Sequence, residues 1–218
     1  MLKSTSKLIS QGWQKHLIRD VDLQSVFAGT DASRYALIHK ALRAKELIQL
    51  RRGLYMLAPQ DQIPRWSQYY LANHIAACSF VTAESALSFH GWIPEKITQV
   101  TNAIAFGRSK TFDTPLGDFV YRTFPLTKPH YFLYGVYTVE IETHLVWMAT
   151  ALRALMDYVY WHKIDNADTD FLIHGLRIDE LHLKEIKKTD IQNLLPVYHS
   201  KRVQQLLKNI LKKRKNHG

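Results

Sequence analysis

Between positions 33 and 52 this chain of 218 residues sets out a row of groups suited to gripping a polyanion: Ser33, Arg34, His39, Lys40 and Arg43, then Arg51 and Arg52. Arginine and lysine neutralise phosphates, and arginine can also form two parallel hydrogen bonds to a guanine edge. Serine and histidine add donors and acceptors that reach phosphates or base edges. On a helix, the first five can enter the major groove of duplex DNA, which is wide enough to admit one. Arg51-Arg52-Gly53 follows a strand-like run and reads as a hairpin tip placed to meet phosphates.

No comparable set supports catalysis. The nine glycines never fall as GxGxxG or GxxxxGK, and no serine sits in a GxSxG elbow. The eleven histidines form no HExxH, and the lone Cys78 excludes an internal disulfide and a cysteine-rich zinc site. Cys78 reads as a small core residue. Glu140 and Glu142 alternate on a predicted strand, as the metal-binding carboxylates of a nuclease would. No lysine follows at strand spacing, and a solvated strand face is the simpler account. Arg153 and Asp157 lie four apart on a predicted helix and read as a structural ion pair. No catalytic residue, cofactor or metal is expected.

The net charge of +10 is unevenly spread. Residues 1–58 hold ten Lys/Arg against four Asp/Glu, residues 59–177 nine against eleven, and residues 178–218 ten against four. Basic ends around a slightly acidic middle point to nucleic acid or another polyanion. No apolar run approaches the roughly 18 residues of a membrane span, and the first residues carry no secretory pattern. With one cysteine, a reduced cytoplasmic setting away from membranes is expected.

These groups need elements to hold them. Leu8, Ile9, Trp13 and Leu17 predict a first helix, and Leu23 to Phe27 a short second one closed by Gly29. Thr30 caps a third, running to about Glu46 with Tyr35, Ile38 and Leu42 inward and the basic row opposite. Leu47–Leu50 and Leu54–Leu57 then form a hairpin. Three helices and a tight basic hairpin make a winged helix-turn-helix over residues 1–58. The boundary is the Ala58 to Pro64 stretch, with Pro64 opening a mostly buried helix that carries Trp66, Tyr69, Tyr70, Ile75 and Ala77.

Residues 59–218 predict a mixed α/β domain with an antiparallel sheet and terminal helices, so the chain is α+β overall. Thr82 caps a helix over Ala83–Phe89. Strands are expected at 97–106, 110–114, 118–124 and 135–142, and a long apolar helix at Leu145–Trp161. The dense aromatic residues of 118–161 are read as core rather than as a base-stacking platform. Val203, Leu206, Leu207, Ile210 and Leu211 form the inner stripe of a last helix, followed by a solvated Lys212–Lys215.

Three blocks in this order resemble the AbiEi-type antitoxins of bacterial toxin–antitoxin and phage-defence operons. They are Leu47-Ile48-Gln49-Leu50-Arg51-Arg52-Gly53-Leu54-Tyr55, then Val81 to Pro94 around Glu84-Ser85-Ala86-Leu87, and finally Thr114-Pro115-Leu116-Gly117 followed by Arg153-Ala154-Leu155-Met156-Asp157. Ala151-Leu152 stand where that family usually has Pro-Glu. The resemblance implies an N-terminal winged helix on double-stranded operator DNA and autorepression. It also implies a C-terminal domain that antagonises a nucleotidyltransferase-like toxin, and no catalysis by this chain. Two alternatives stand beside it: a restriction-endonuclease-like C-terminal domain, for which Glu140 and Glu142 would be candidates, and a plain transcriptional regulator without a toxin.

Overall fold

A left-handed glycine decides how the chain begins. Gly12, at φ +82°, stops helix α1 (Lys3–Ser10), so Trp13 lies in a separate 3-10 turn and Ile18–Arg19 forms a short strand, β1. The predicted single helix through Leu17 is therefore two pieces and a strand. The structure, a computed structural model, describes residues 1–59, 66–124, 128–165 and 168–215, with side chains through 212. Pro64 and most of the predicted boundary lie outside the described residues. The chain divides into two compact units, Met1–Trp66 with Phe112–Leu116, and Ser67–Thr111 with Gly117–Gly218. Among the described residues no helix is long and apolar enough to cross a membrane.

In the first unit, helix α2 (Asp20–Val26) starts where the Asp22 carboxylate accepts the Arg19 N–H at 2.8 Å. Thr30 caps α3 (Asp31–Arg43) as expected, its hydroxyl accepting the Ser33 N–H at 3.3 Å. The helix stops at Arg43 rather than Glu46, because Lys45 turns to φ +55°. Glu46 instead holds the start of the chain, accepting the Leu2 N–H. Strands β2 (Leu47–Arg51) and β3 (Leu54–Leu57) pair antiparallel, and β1 adds to the far side of β3, giving the order β1-β3-β2. Leu8, Ile18, Leu23, Ile38, Leu47 and Leu57 meet in one buried core.

The second unit supplies most of a six-stranded sheet, whose edge strand at Lys110–Thr114 runs into the Phe112–Leu116 segment counted with the first unit. Helix α4 (Gln68–Ile75) leads to β4 (Ser79–Val81), α5 (Ala83–Phe89) and β5 (Gln99–Ile104). The strands β6 (Lys110–Thr114), β7 (Gly117–Thr123), β8 (Val136–Ile141) and β9 (His144–Ala149) follow. The spatial order is β6-β7-β5-β4-β9-β8. The sheet is mixed rather than antiparallel, since β5 runs parallel to β7 and β4 parallel to β9. Helices α6 (Ala151–Trp161), α7 (Glu180–Glu185), α8 (Lys188–Leu194) and α9 (Lys201–Lys215) complete it.

Several expectations change here. Leu145–Trp161 is a strand followed by a helix, because Thr150 takes extended backbone and caps α6 by accepting the Arg153 N–H at 3.3 Å. In α4 the buried residues are Leu71, Ala72 and Ile75, while Tyr69 and Tyr70 are only half-buried and Ala77 is exposed beyond the helix end. Cys78 is exposed, at a turn with φ +54°, and is not a core residue. The aromatics of 118–161 divide: Phe119, Tyr121, Phe124 and Phe132 are buried, while Tyr134 and Trp147 are exposed. The stripe Val203, Leu206, Leu207 and Ile210 is buried as read, Leu211 is half-buried, and α9 continues through Lys215.

The Arg153–Asp157 pair is the polar centre of this unit. Both side chains are fully buried. Asp157 accepts from Arg153 Nε at 3.0 Å, from the Tyr198 hydroxyl at 2.6 Å and from the Thr82 hydroxyl at 2.7 Å. Thr82 precedes α5 but makes no side-chain cap, because its hydroxyl is committed to Asp157. Arg153 Nη1 donates to the carbonyls of Phe132 and Tyr134, at 3.2 and 2.7 Å, and its guanidinium lies over the rings of Phe80, Phe124 and Tyr198. Burial opposes the charge on Arg153, but the adjacent carboxylate outweighs it and raises the guanidinium above its ordinary value. Burial pushes the Tyr198 hydroxyl well up, which keeps it a donor.

Candidate nucleic-acid interface

Helix α3 is thirteen residues long, yet the only side chains it buries are Ile38 and Ala41, at 2% and 1% exposure. Helical geometry advances 100° per residue, so the face opposite those two is made by Ala32, Ser33, Ala36, His39, Lys40 and Arg43, all exposed. The first half of that face is small and the second half cationic. The side chains of His39, Lys40 and Arg43 make no hydrogen bond or ion pair among the described residues. Ser33 donates its hydroxyl back to the Thr30 carbonyl at 2.8 Å.

Arg34 is placed differently from the sequence reading. It stands four residues before Ile38 and so on the same side, not opposite it. Its guanidinium pairs with Asp31 and donates to the Gly29 carbonyl at 2.5 Å, which leaves the side chain only 16% exposed. Tyr35, predicted inward, is 46% exposed. Spacing from Ile38 alone would have placed Arg34; the small residues Ala32 and Ala36 carry no chemical signal and were missed.

The hairpin beside α3 closes on a two-residue turn, Arg52-Gly53, with Arg51 paired to Leu54 as the last strand residue. Arg51 is half-buried and donates Nη1 to the Arg52 carbonyl at 3.0 Å, whereas Arg52 is exposed at the tip. A bulge between Gln49 and Arg51 sharpens the twist of the strand there.

Gly53, at φ +74°, brings the turn against α2: the Asp20 N–H donates to the Gly53 carbonyl at 3.3 Å, and a Cβ on Gly53 would sit 2.8 Å from Asp20 Oδ2. Burial, then the Asp20 charge, push the neighbouring Tyr55 hydroxyl above its ordinary value. Gly53→Ala is therefore expected to cost about 1–2 kcal/mol through the left-handed backbone alone, measured by urea denaturation. A loss below a few tenths would show that the turn relaxes freely.

Glu140 and Glu142 do not form the predicted pair. Glu140 ends near the tip of β8, and Glu142 lies in the following turn at φ +49°, so they do not project from one strand face. Among the described residues no group of three or more His, Cys, Asp or Glu side chains is placed to hold a metal ion. Compared with known families and with curated proteins, the sequence matches neither a family model nor a curated protein.

Proposed function

We propose that residues 1–58 form a winged helix-turn-helix that binds operator DNA, with α3 in the major groove and the β2–β3 hairpin as a wing on the phosphates. One observation carries this reading: α3 turns nearly its whole length to solvent and shows a small-then-cationic face beside a tight hairpin tipped by Arg52. In a recognition helix short side chains permit close approach to the groove, and arginine or lysine on the same face can then reach a guanine edge. Autorepression follows from occluding the chain's own promoter. In line with the resemblance of the hairpin, α5 and α6 blocks, we assign the second unit to antagonism of a nucleotidyltransferase-like toxin, without catalysis of its own.

The wing is tested by the salt dependence of duplex binding. Arg52→Ala should weaken binding to all duplexes alike and flatten the plot of log affinity against log salt by about 0.9, one phosphate contact's worth. Adding Arg51→Ala should extend the effect towards two contacts, to the extent that Arg51 leaves the Arg52 carbonyl for DNA. An unchanged slope in the double variant would remove the hairpin from the interface. For the toxin, the neighbouring gene is first tested for a nucleotidyltransferase; co-expressed with such a toxin, residues 59–218 should protect cells as the full chain does. Protection by the full chain that disappears in Arg51→Ala/Arg52→Ala would make the effect transcriptional.

A further inference from the structure

Among the described residues, strand β8 ends the six-stranded sheet and is hydrogen-bonded on one side only, to β9. Its register closes at Ile141↔His144 across the two-residue turn Glu142-Thr143. In such a hairpin the closing pair exchanges both of its backbone hydrogen bonds, and so does every second pair beyond it. Ile141, Val139 and Tyr137 therefore spend their backbone groups on β9. The N–H and C=O groups of Val136, Thr138 and Glu140 point out from the open edge.

The two edges of the sheet differ. β6 reads Lys-Thr-Phe-Asp-Thr, with Lys110 and Asp113 as charges of the kind that discourage pairing. β8 reads Val-Tyr-Thr-Val-Glu-Ile, strong strand formers apart from the one charge, Glu140, with no proline, lysine or bulge. On the face that β8 shares with β9, Thr138 lies opposite Trp147 and Glu140 opposite Leu145. Trp147 is 44% and Leu145 65% exposed. Just ahead of β8, the 3-10 turn Pro129–Leu133 follows Lys128, carries His130 and no acid, and leaves Leu133 and Tyr134 exposed. That turn is held in shape from below by Arg153, through the carbonyls of Phe132 and Tyr134.

We propose that β8 pairs with β8 of a second copy of this chain, antiparallel about a two-fold axis at Thr138, so that two sheets become one. An interface of this kind must be self-complementary, and this one is. Thr138 meets Thr138 of the other copy, and Val136 meets Glu140. The two-fold carries the turn ahead of each β8 to the far end of the other strand. Lys128 and His130 then come to the end where Glu140 and Glu142 stand, and the exposed Leu133 and Tyr134 come with them. If the DNA reading also holds, the dimer offers two helices α3 to an inverted repeat; the pairing itself does not depend on that reading.

Sedimentation equilibrium of the full chain tests the pairing. The wild type should be a dimer, and Thr138→Pro should weaken association at least tenfold while far-UV circular dichroism stays unchanged and the melting temperature loses only its dependence on protein concentration. Proline removes only the outward N–H, which an edge strand tolerates. Independently, Thr138→Cys in a Cys78→Ser background should give a disulfide-linked dimer under mild oxidation, because residues facing each other in a hydrogen-bonded antiparallel pair stand about 5.5 Å apart at Cα, within disulfide reach. A wild type that stays monomeric, or a folded Thr138→Pro variant that dimerises as before, overturns the proposal. Should Thr138→Pro fail to fold, the cysteine variant decides, and the absence of a cross-link overturns it.

Discussion

Asp157→Ala is expected to destabilise the chain by about 3–5 kcal/mol, since it leaves Arg153 charged and buried with no counter-ion. The loss is larger than that of one contact because three donors converge on this carboxylate: the guanidinium, the Tyr198 hydroxyl and the Thr82 hydroxyl. They come from α6, from the segment ahead of α9 and from the start of α5, so a single side chain ties together parts of the unit that are distant in sequence. Arg153 also anchors the 129–134 turn through two carbonyls, and that turn should loosen with it. Urea denaturation of the full chain measures the loss, and hydrogen exchange at Phe132 to Gly135 reports the turn. Replacing both members by apolar residues of similar volume, Arg153→Met with Asp157→Leu, should recover only part of the stability: the desolvation cost disappears with the charges, but the Thr82 and Tyr198 hydroxyls lose their acceptor and the Phe132 and Tyr134 carbonyls lose their donor. A loss below about 1 kcal/mol for Asp157→Ala would mean that water or another group reaches Arg153.

Lys40→Ala with Arg43→Ala is expected to lower affinity for a preferred duplex by about 2–6 kcal/mol, roughly 30-fold or more, on the scale of 1–3 kcal/mol for each good base contact. Both cations stand on the solvent face of α3 without a side-chain partner among the described residues, so removing them costs the fold little. Arg34→Ala should behave differently. Its guanidinium is tied to Asp31 and the Gly29 carbonyl, so its loss should appear mainly as destabilisation around the start of α3 and less as a change in sequence preference. Fluorescence anisotropy with matched and scrambled duplexes separates the two. If Arg34→Ala alters base preference while Lys40 and Arg43 do not, the DNA-facing side of α3 is the one that carries Asp31 and Arg34.

Local chemistry was legible where it is local. The Thr30 cap, the Arg52-Gly53 turn, the Arg153–Asp157 pair and the buried stripe of α9 all follow from residues within one turn or one short hairpin. What failed required knowledge of distant residues. Thr82 has the right type and position to cap α5, but its hydroxyl goes to Asp157, 75 residues away, and no spacing announces that. His144–Ala149 and Ala151–Trp161 form one apolar run, and Thr150 is the sole break between a strand and a helix. Cys78 is apolar in its neighbourhood but sits at a left-handed turn, where packing is replaced by exposure. The parallel pairings of β5 with β7 and β4 with β9 depend on crossovers, which strand patterns do not encode. In the candidate interface the basic residues were visible by type. Which of them point outward was set by the two residues that α3 buries.

Binding-site selection on random duplex DNA with the full chain addresses DNA recognition directly, because it presupposes neither an operator nor a partner. The expected result is enrichment of one motif, bound about a thousandfold or more tighter than random duplex at physiological salt, with Lys40→Ala or Arg43→Ala relaxing particular positions of that motif. Recovery of no motif, with binding that depends on salt alone and not on Lys40 or Arg43, would contradict sequence-specific recognition by α3.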